Sequence, residues 1–339
     1  MKKQTEKKEI LLIHPGLSSF VKKDISILST YYSVNKIHYV TSKKLFRNIV
    51  SQISLLFQIL PRIIKSFVFF IWFADYHAFL PVLLSRVFGK KSIIVLGGYD
   101  VTYLPELKYG SFSNPIRKFC TSYALRGADY LLAVDSSLID ELNTRIKSLR
   151  GESLTVPTSF DSTQWFRSAK KDRLVLTVGI CDSFQRYKLK GIDIFVEVAR
   201  LLPRYEFLVI GMKENMIKRL DLPENLHTRD YVTFSELRDY YSRAKVYAQF
   251  SIREGLPSVV CEAMLCESVP VGCSVNGIST AIGDCGFLLA GRDPVEGAKL
   301  VKKAMESPAE LGEKARQRII SLFNTERREK SLVSILGSF

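Results

Sequence analysis

Val246-Tyr-Ala-Gln-Phe-Ser-Ile-Arg-Glu-Gly-Leu-Pro-Ser-Val-Val-Cys-Glu-Ala-Met-Leu-Cys-Glu-Ser-Val-Pro-Val-Gly-Cys273 reads as a strand, a tight turn, a helix and a second strand. The apolar run 246–250 gives way to polar residues, among which Gly255 and Pro257 suit a turn. From Ser258 onward the spacing is helical, and a second apolar run occupies 269–273. The same alternation recurs on both sides of this stretch. Strand-like runs at 10–14, 36–40, 67–73, 92–96 and 130–134 form a first series, and runs at 173–179, 206–211, 246–250, 269–273 and 286–289 form a second. Strands separated by helical patterns imply parallel sheets covered by helices, so an α/β protein of two doubly wound units in tandem is expected.

Residues 158–171, rich in Ser, Thr, Asp and Lys and lacking either periodicity, are expected to link a first domain (1–157) to a second (172–322). A final helix, 323–339, is a candidate to leave the second domain and pack back on the first. At 339 residues with 47% apolar and 24% charged composition, the chain can bury two cores and does not read as disordered. Six cysteines without a CxxC pair, and a charged opening without an apolar leader, fit a reducing cytosol. Four histidines without metal-ligand spacing make a structural zinc site a poor reading.

Lys and Arg exceed Asp and Glu by 49 to 34, a net +15 that favours anionic partners. No helix-turn-helix, zinc-finger or aromatic RNA-binding signature accompanies this charge, so nucleic acid is disfavoured. An anionic membrane leaflet or a phosphorylated substrate remains. The segment 43–73 is apolar, but Arg47, Gln52, Gln58, Arg62 and Lys65 interrupt it below the length of a membrane span. Leu45, Ile49, Ile53, Leu56 and Leu60 trace one helical face, with Lys43, Lys44 and Arg47 at its start. That face is expected either to meet the core or to lie on anionic lipid. The run 67–73 reads as a strand buried on both faces.

Ligands of open α/β sheets collect beyond the carboxyl ends of strands, where loops enter helix N-termini. Glu254 precedes the helix opened by Ser258 and Glu262 lies inside it, seven residues intervening. Two carboxylates beside free backbone amides suit a ligand with hydroxyls near phosphate oxygens. The alternative is a dipole-complementing Glu254 and a solvated Glu262. The apolar neighbours Val259, Val260, Ala263 and Leu265 argue against a solvated carboxylate there. Near the start, His14-Pro-Gly-Leu-Ser-Ser19 follows the first strand, and Gly16 could let the backbone approach a phosphate. It lacks the full GxGxxG pattern, which disfavours a dehydrogenase.

Glu254-Gly-Leu-Pro-Ser-Val-Val-Cys-Glu262-Ala-Met, followed by Ser268-Val-Pro-Val, resembles the signature of glycosyltransferase family 4. The similarity continues through Asn276-Gly277 and 284–289 and backward through Lys190-Gly-Ile-Asp193 and 207–211, and is fainter at Ala74-Asp75 and 98–100. The resemblance implies the GT-B fold, two Rossmann-like domains facing across a cleft. It implies that Glu254 contacts donor-sugar hydroxyls and Glu262 the ribose, and that the amides of Leu256, Ser258 and Val259, beside Gly255, line the sugar and diphosphate. Lys190 would neutralise the leaving diphosphate.

The chain departs from the family in places. Ile180 follows Gly179 where an arginine is common, so Arg186 or Lys188 is a candidate replacement cation. Gly97-Gly98-Tyr99-Asp100 stands where many members have His-Gly-x-Asp, which leaves His77 as a candidate substitute, with Tyr99 and Asp100 as candidate acceptor or sugar contacts. The family's later acidic residue is replaced around Thr280.

No Asp-x-Asp triplet occurs, so no metal and no further cofactor is expected beyond a nucleotide-diphosphate sugar as co-substrate. The resemblance implies retention at the anomeric carbon. The basic, apolar first domain suits a lipid-linked or polysaccharide acceptor in building surface polysaccharide, lipopolysaccharide or a glycoprotein glycan, at the cytoplasmic face of a membrane. The rival readings are a non-catalytic nucleotide-sugar binding protein and a sugar-nucleotide epimerase on the same fold.

Overall fold

The computed structural model describes residues 7–42 and 44–339; Lys43 lies outside the described residues. The chain forms two compact units. The first comprises residues up to Ser159 together with Glu326–Phe339, and the second is Phe160–Thr325. Of the segment 158–171, all but the first two residues therefore belong to the second unit.

The first unit runs β1 (Glu9–His14), α1 (Ser19–Tyr31), β2 (Ser33–His38), α2 (Leu45–Ile59), β3 (Ser66–Trp72), α3 (Tyr76–Val87), β4 (Lys91–Leu96), α4 (Pro115–Gly127), β5 (Tyr130–Ala133), α5 (Ser137–Arg145) and β6 (Glu152–Thr155). Its parallel strands lie in the order β2-β1-β3-β4-β5-β6. The central strands carry unbroken apolar runs because helices cover both faces: Ile10 to Ile13, Val68 to Trp72 and Ile93 to Leu96 are all at most 1% exposed. β6 reads Glu-Ser-Leu-Thr and sits at the sheet edge, where a short polar strand leaves no apolar signal in the sequence. The order in which strands are added reverses between β1 and β3, so the loops leaving those two parallel strands part to opposite sides and open a switch point.

Asp100 ties the ends of β3 and β4 together. Its fully buried carboxylate accepts the amides of Gly98 at 2.8 Å, Gly97 at 3.1 Å and Ala74 at 3.3 Å. Burial pushes its carboxyl up to about 6, although the backbone amides pull the other way.

Helix α2 does not turn the predicted face to the core. Ile49, Ile53 and Leu60 are 49%, 51% and 40% exposed, while Leu55 and Ile59 face inward. Asn48 is also buried, and its amide group exchanges two 2.8 Å hydrogen bonds with the backbone of Ser42. The helix is apolar on opposite sides, so a 3.6-residue period has two solutions and only packing chooses between them.

The second unit runs β7 (Asp172–Cys181), α6 (Phe184–Leu189), α7 (Ile192–Leu201), β8 (Glu206–Met212), α8 (Glu214–Ile217), β9 (Leu226–Arg229), α9 (Phe234–Arg243), β10 (Ala244–Gln249), α10 (Ser258–Leu265), β11 (Val269–Cys273), α11 (Asn276–Ile282), β12 (Phe287–Leu289), α12 (Pro294–Met305) and α13 (Ala309–Leu322). The strand order is β12-β11-β10-β7-β8-β9, all parallel. Val175, Phe195, Phe207, Val246, Phe250 and Val271 pack in one core. β9, Leu-His-Thr-Arg, is again a short polar edge strand without an apolar pattern. Here the strand order reverses between β7 and β10, which makes their carboxyl ends the switch point.

The last helix, α14 (Thr325–Gly337), belongs with the first unit from Glu326 onward. Arg328 and Asp24 are 3% and 0% exposed and pair through two charge-assisted bonds of 2.5 and 2.6 Å. The same guanidinium donates to the carbonyls of Val156 and Pro157, both at 2.8 Å. The planar fork thus fastens α14 to α1 and to the chain just after β6.

Two predictions follow from these buried charges. Arg328→Met should destabilise the chain by about 3–5 kcal/mol in chemical denaturation, because it strands the Asp24 carboxylate. The double variant Asp24→Leu/Arg328→Met should recover part of that loss. For Asp100, the folded state holds the proton more tightly than an ordinary carboxyl at 3.8. Its favourable contribution is therefore complete below that value and is lost as pH rises through about 6. The stability of the protein relative to Asp100→Asn should fall across that window and level off above it.

Candidate functional site

Strand β10 alternates two kinds of side chain. Val246, Ala248 and, just beyond it, Phe250 enter the core, while Tyr247, Gln249 and Ser251 share the opposite face as the period-2 geometry of a strand requires. These three polar residues form a chain. The Tyr247 hydroxyl donates to Gln249 Oε1 at 2.8 Å, Gln249 Nε2 donates to Ser251 Oγ at 2.6 Å, and Ser251 Oγ donates to Glu254 Oε1 at 2.9 Å. A hydroxyl has one proton, so accepting from Gln249 and donating to Glu254 satisfies Ser251 in both directions. The same Glu254 oxygen takes Lys190 Nζ at 2.7 Å, with the two side chains only 31% and 13% exposed.

Lys190 reaches this point because of the glycine that follows it. Gly191 has φ 68°, and a Cβ there would lie 1.9 Å from the Phe250 carbonyl oxygen. Only glycine permits so close an approach of the α6–α7 connection to the end of β10. The approach is secured by the Ile252 amide, which donates to the Leu189 carbonyl at 2.9 Å. The Lys190 stem then lies across Gly179 near the end of β7, 3.6 Å from where its Cβ would be. Lys190 and Glu254 therefore meet where β7 and β10 part, at the switch point of the sheet.

The loop from Glu254 into α10 is fixed by a second glycine contact, since a Cβ at Gly277 would lie 1.7 Å from the Gly255 carbonyl oxygen. Leu256 is buried and holds the loop down; Gly255, Ser258 and Val259 are partly exposed. As first-turn residues of α10, Ser258 and Val259 have amides with no intrahelical acceptor, a positive end suited to an anion. Glu262, one turn deeper, is 7% exposed and lies against the fully buried Tyr241, whose phenol is pushed well above its ordinary range by burial first and then by this carboxylate.

The other cations near this site are engaged with neighbouring side chains. Arg186 pairs with Asp182 at 3.0 Å, and Lys188 pairs with Asp193 at 3.0 Å. Arg292 holds the second Asp193 oxygen at 2.7 Å. Arg253 donates to the Asn276 side chain at 3.2 Å, linking the loop after β10 to the start of α11. Ile180 stands 57% exposed beside Gly179. Sequence reading missed Tyr247, Gln249, Ser251, Arg253 and Arg292. The polar alternation inside an otherwise apolar strand was the available signal for the first three.

In the first unit, His14 ends β1, Gly16 follows it, and a Cβ on Gly16 would meet nothing within 4 Å. His14 is 3% exposed, its ring stacks on His38 with centroids 5.4 Å apart, and burial first and His38 second lower its pKa. His77 is fully buried in the first turn of α3. Its Nε2 donates to the Trp72 carbonyl at 2.7 Å, its Nδ1 has no hydrogen-bond partner among the described residues, and burial lowers its pKa. It thus presents no surface in this unit. Asp100 is likewise buried with both oxygens committed to backbone amides. Tyr99 is partly buried, and its hydroxyl accepts from Arg117, whose guanidinium also pairs with Asp75 at 2.9 Å and lies over the Tyr76 ring at 5.0 Å. Among the described residues no three His, Cys, Asp or Glu side chains gather into a metal-binding group.

Residues 173–307, within the second unit, match the family model described as "Glycosyl transferases group 1". The trehalose synthases of Thermococcus litoralis and Pyrococcus furiosus are each 27% identical to this chain, over 44% of it and 40% of their own length. The match therefore spans well under half of these curated relatives. Among solved structures, the sucrose-phosphate synthase of Thermosynechococcus elongatus superposes with a TM-score of 0.81 at 15% identity, covering 98% of both chains. The Anabaena protein HepE, solved in complex with UDP-glucose, superposes with a TM-score of 0.76 at 13% identity, over 98% of this chain and 100% of its own. The fold is that of GT-B proteins, two Rossmann-like units with open parallel sheets, and together the family match and these neighbours support a glycosyltransferase.

Proposed function

We propose that this chain is a retaining glycosyltransferase of the family 4 type, which moves a hexose-type sugar from a nucleotide-diphosphate sugar to a lipid-linked or polysaccharide acceptor in surface-glycan synthesis. The observation that carries the reading is the Lys190–Glu254 pair, 2.7 Å across, beside the open first turn of α10. A cation, a carboxylate and unpaired helix amides within one loop region match the three parts of such a donor: diphosphate, sugar hydroxyls and the link between them.

Glu254 accepts hydrogen bonds from donor-sugar hydroxyls, kept in orientation by Ser251 and Gln249. Glu262 takes the ribose hydroxyls, and the amides of Ser258 and Val259 receive the phosphates. As the bond between the anomeric carbon and the diphosphate oxygen breaks, its electron pair leaves with the diphosphate. Lys190 stabilises that growing charge, and the transition state is oxocarbenium-like. The acceptor hydroxyl attacks from the face the diphosphate is leaving, and its proton passes to a departing phosphate oxygen. The scheme needs no metal and no protein nucleophile. Arg186 is a second cation for the diphosphate once it releases Asp182. The enzyme works at the cytoplasmic face of a membrane, where lipid-linked acceptors are presented.

Nucleoside diphosphate release, assayed across a panel of nucleotide-sugars with a mixed glycolipid and polysaccharide acceptor extract, tests this. Lys190→Ala should lower kcat/KM by about a hundred- to a thousandfold. Glu262→Gln should chiefly weaken donor binding, and both variants should keep the parent melting temperature to within a few degrees. Full activity in either variant removes that residue from the mechanism. Turnover of donor in the absence of any acceptor would instead identify an epimerase, and donor binding without turnover a non-catalytic binding protein.

A further inference from the structure

We infer that the outward face of α2 is a docking surface for an anionic lipid bilayer. Phe46, Val50, Ile53 and Phe57 follow one another at spacings of four, three and four residues, which stacks them in a single line along the helix. They are 74%, 48%, 51% and 69% exposed, although the buried side of the same helix is also apolar and already anchors it through Leu55 and Ile59. A helix that needs only one apolar face to pack has here a second one that stays exposed among the described residues of its unit.

Charge identifies what covers it. From Ile25 to Ala74 the chain contains no Asp or Glu, and none occurs within α2, α3 or α4. α2 packs on α3 and α3 on α4, so these helices form one continuous layer. Lys44, Arg47, Arg62, Lys65, Arg86 and Lys118 are exposed on it or at its ends. Val87, Phe88 and Phe119 extend its exposed apolar surface at 67%, 47% and 64%. Asp75, the N-cap of α3, is the carboxylate that borders these helices, and Arg117 of α4 holds it at 2.9 Å. Aromatic and branched side chains ringed by the remaining cations fit the acyl and headgroup levels of an anionic leaflet. A complementary protein surface or a second copy of this layer would have to answer the same excess of positive charge, and its helices contain no acid with which a second copy could do so, Asp75 being already paired with Arg117.

The inference does not depend on the transfer reaction, and its test needs no turnover. The full chain is sedimented with phosphatidylcholine vesicles containing or lacking phosphatidylglycerol. Binding is expected only to the anionic vesicles and should weaken as salt is raised. Ile53→Asp/Phe57→Asp should lower partitioning by roughly a hundredfold without changing the melting temperature, since both side chains are solvated. Arg47→Gln/Arg62→Gln should lower it less and flatten the salt dependence. Equal binding to neutral vesicles, or unchanged binding by the Asp variant, overturns the proposal. So does a parent dimer in light scattering that the Asp variant dissolves, because the stripe would then be an interface between copies. A parent chain that transfers sugar but does not sediment with anionic vesicles would sink this inference alone, and a parent chain that sediments with them but transfers no sugar would sink the transfer reading alone.

Discussion

The close approach of Gly191 to the Phe250 carbonyl is the constraint on which the second unit's site depends. A side chain at 191 would collide with the backbone at the end of β10, so the position must be glycine in a left-handed conformation. Because it is, the α6–α7 connection settles against the loop after β10, and Lys190 arrives beside Glu254. The pair is then held from below by a line of hydrogen bonds running up one face of a central strand. Tyr247, Gln249 and Ser251 are each satisfied in turn, so the carboxylate is oriented before any ligand is present.

The two sheets are both six-stranded, parallel and doubly wound, but they differ in strand order and use their switch points differently. In the second unit the reversal between β7 and β10 is lined by a charged, partly exposed pair. In the first unit the reversal between β1 and β3 is lined by buried groups: His14 and His77 with lowered pKa, and Asp100 wrapped in backbone amides. These groups fix strand ends in place. Polar residues clustered at the carboxyl ends of strands are thus partly exposed in one unit and buried as structural ties in the other.

The first unit carries its positive charge and its spare apolar surface on the same layer of helices, while its core is as apolar as any central parallel sheet. Its coherence rests on distant parts of the chain. Arg328 and Asp24 are separated by 304 positions and meet with no exposure to solvent, so the C-terminal helix is part of this unit's core. Such a pair contributes through specificity of pairing as much as through energy, because neither ion is tolerable there alone.

Much of this was legible in the sequence. Ten of the twelve strands among the described residues announce themselves as strand-like runs, and the alternation with helices sets a parallel, doubly wound arrangement. Glu254 and Glu262 are legible because a strand, a turn and a helix N-terminus occur in succession. β6 and β9 are silent, since edge strands need no apolar pattern. The face of α2 that carries Ile49 and Ile53 keeps two readings, core or lipid, because a helix apolar on both sides does not say which side is covered. Local order along the chain determines elements and their sequence. The Lys190–Glu254 contact across 64 positions, the burial of His77 and Asp100, and the choice of face on α2 were settled only by tertiary packing, because each depends on which distant backbone and side chains exclude water from that residue.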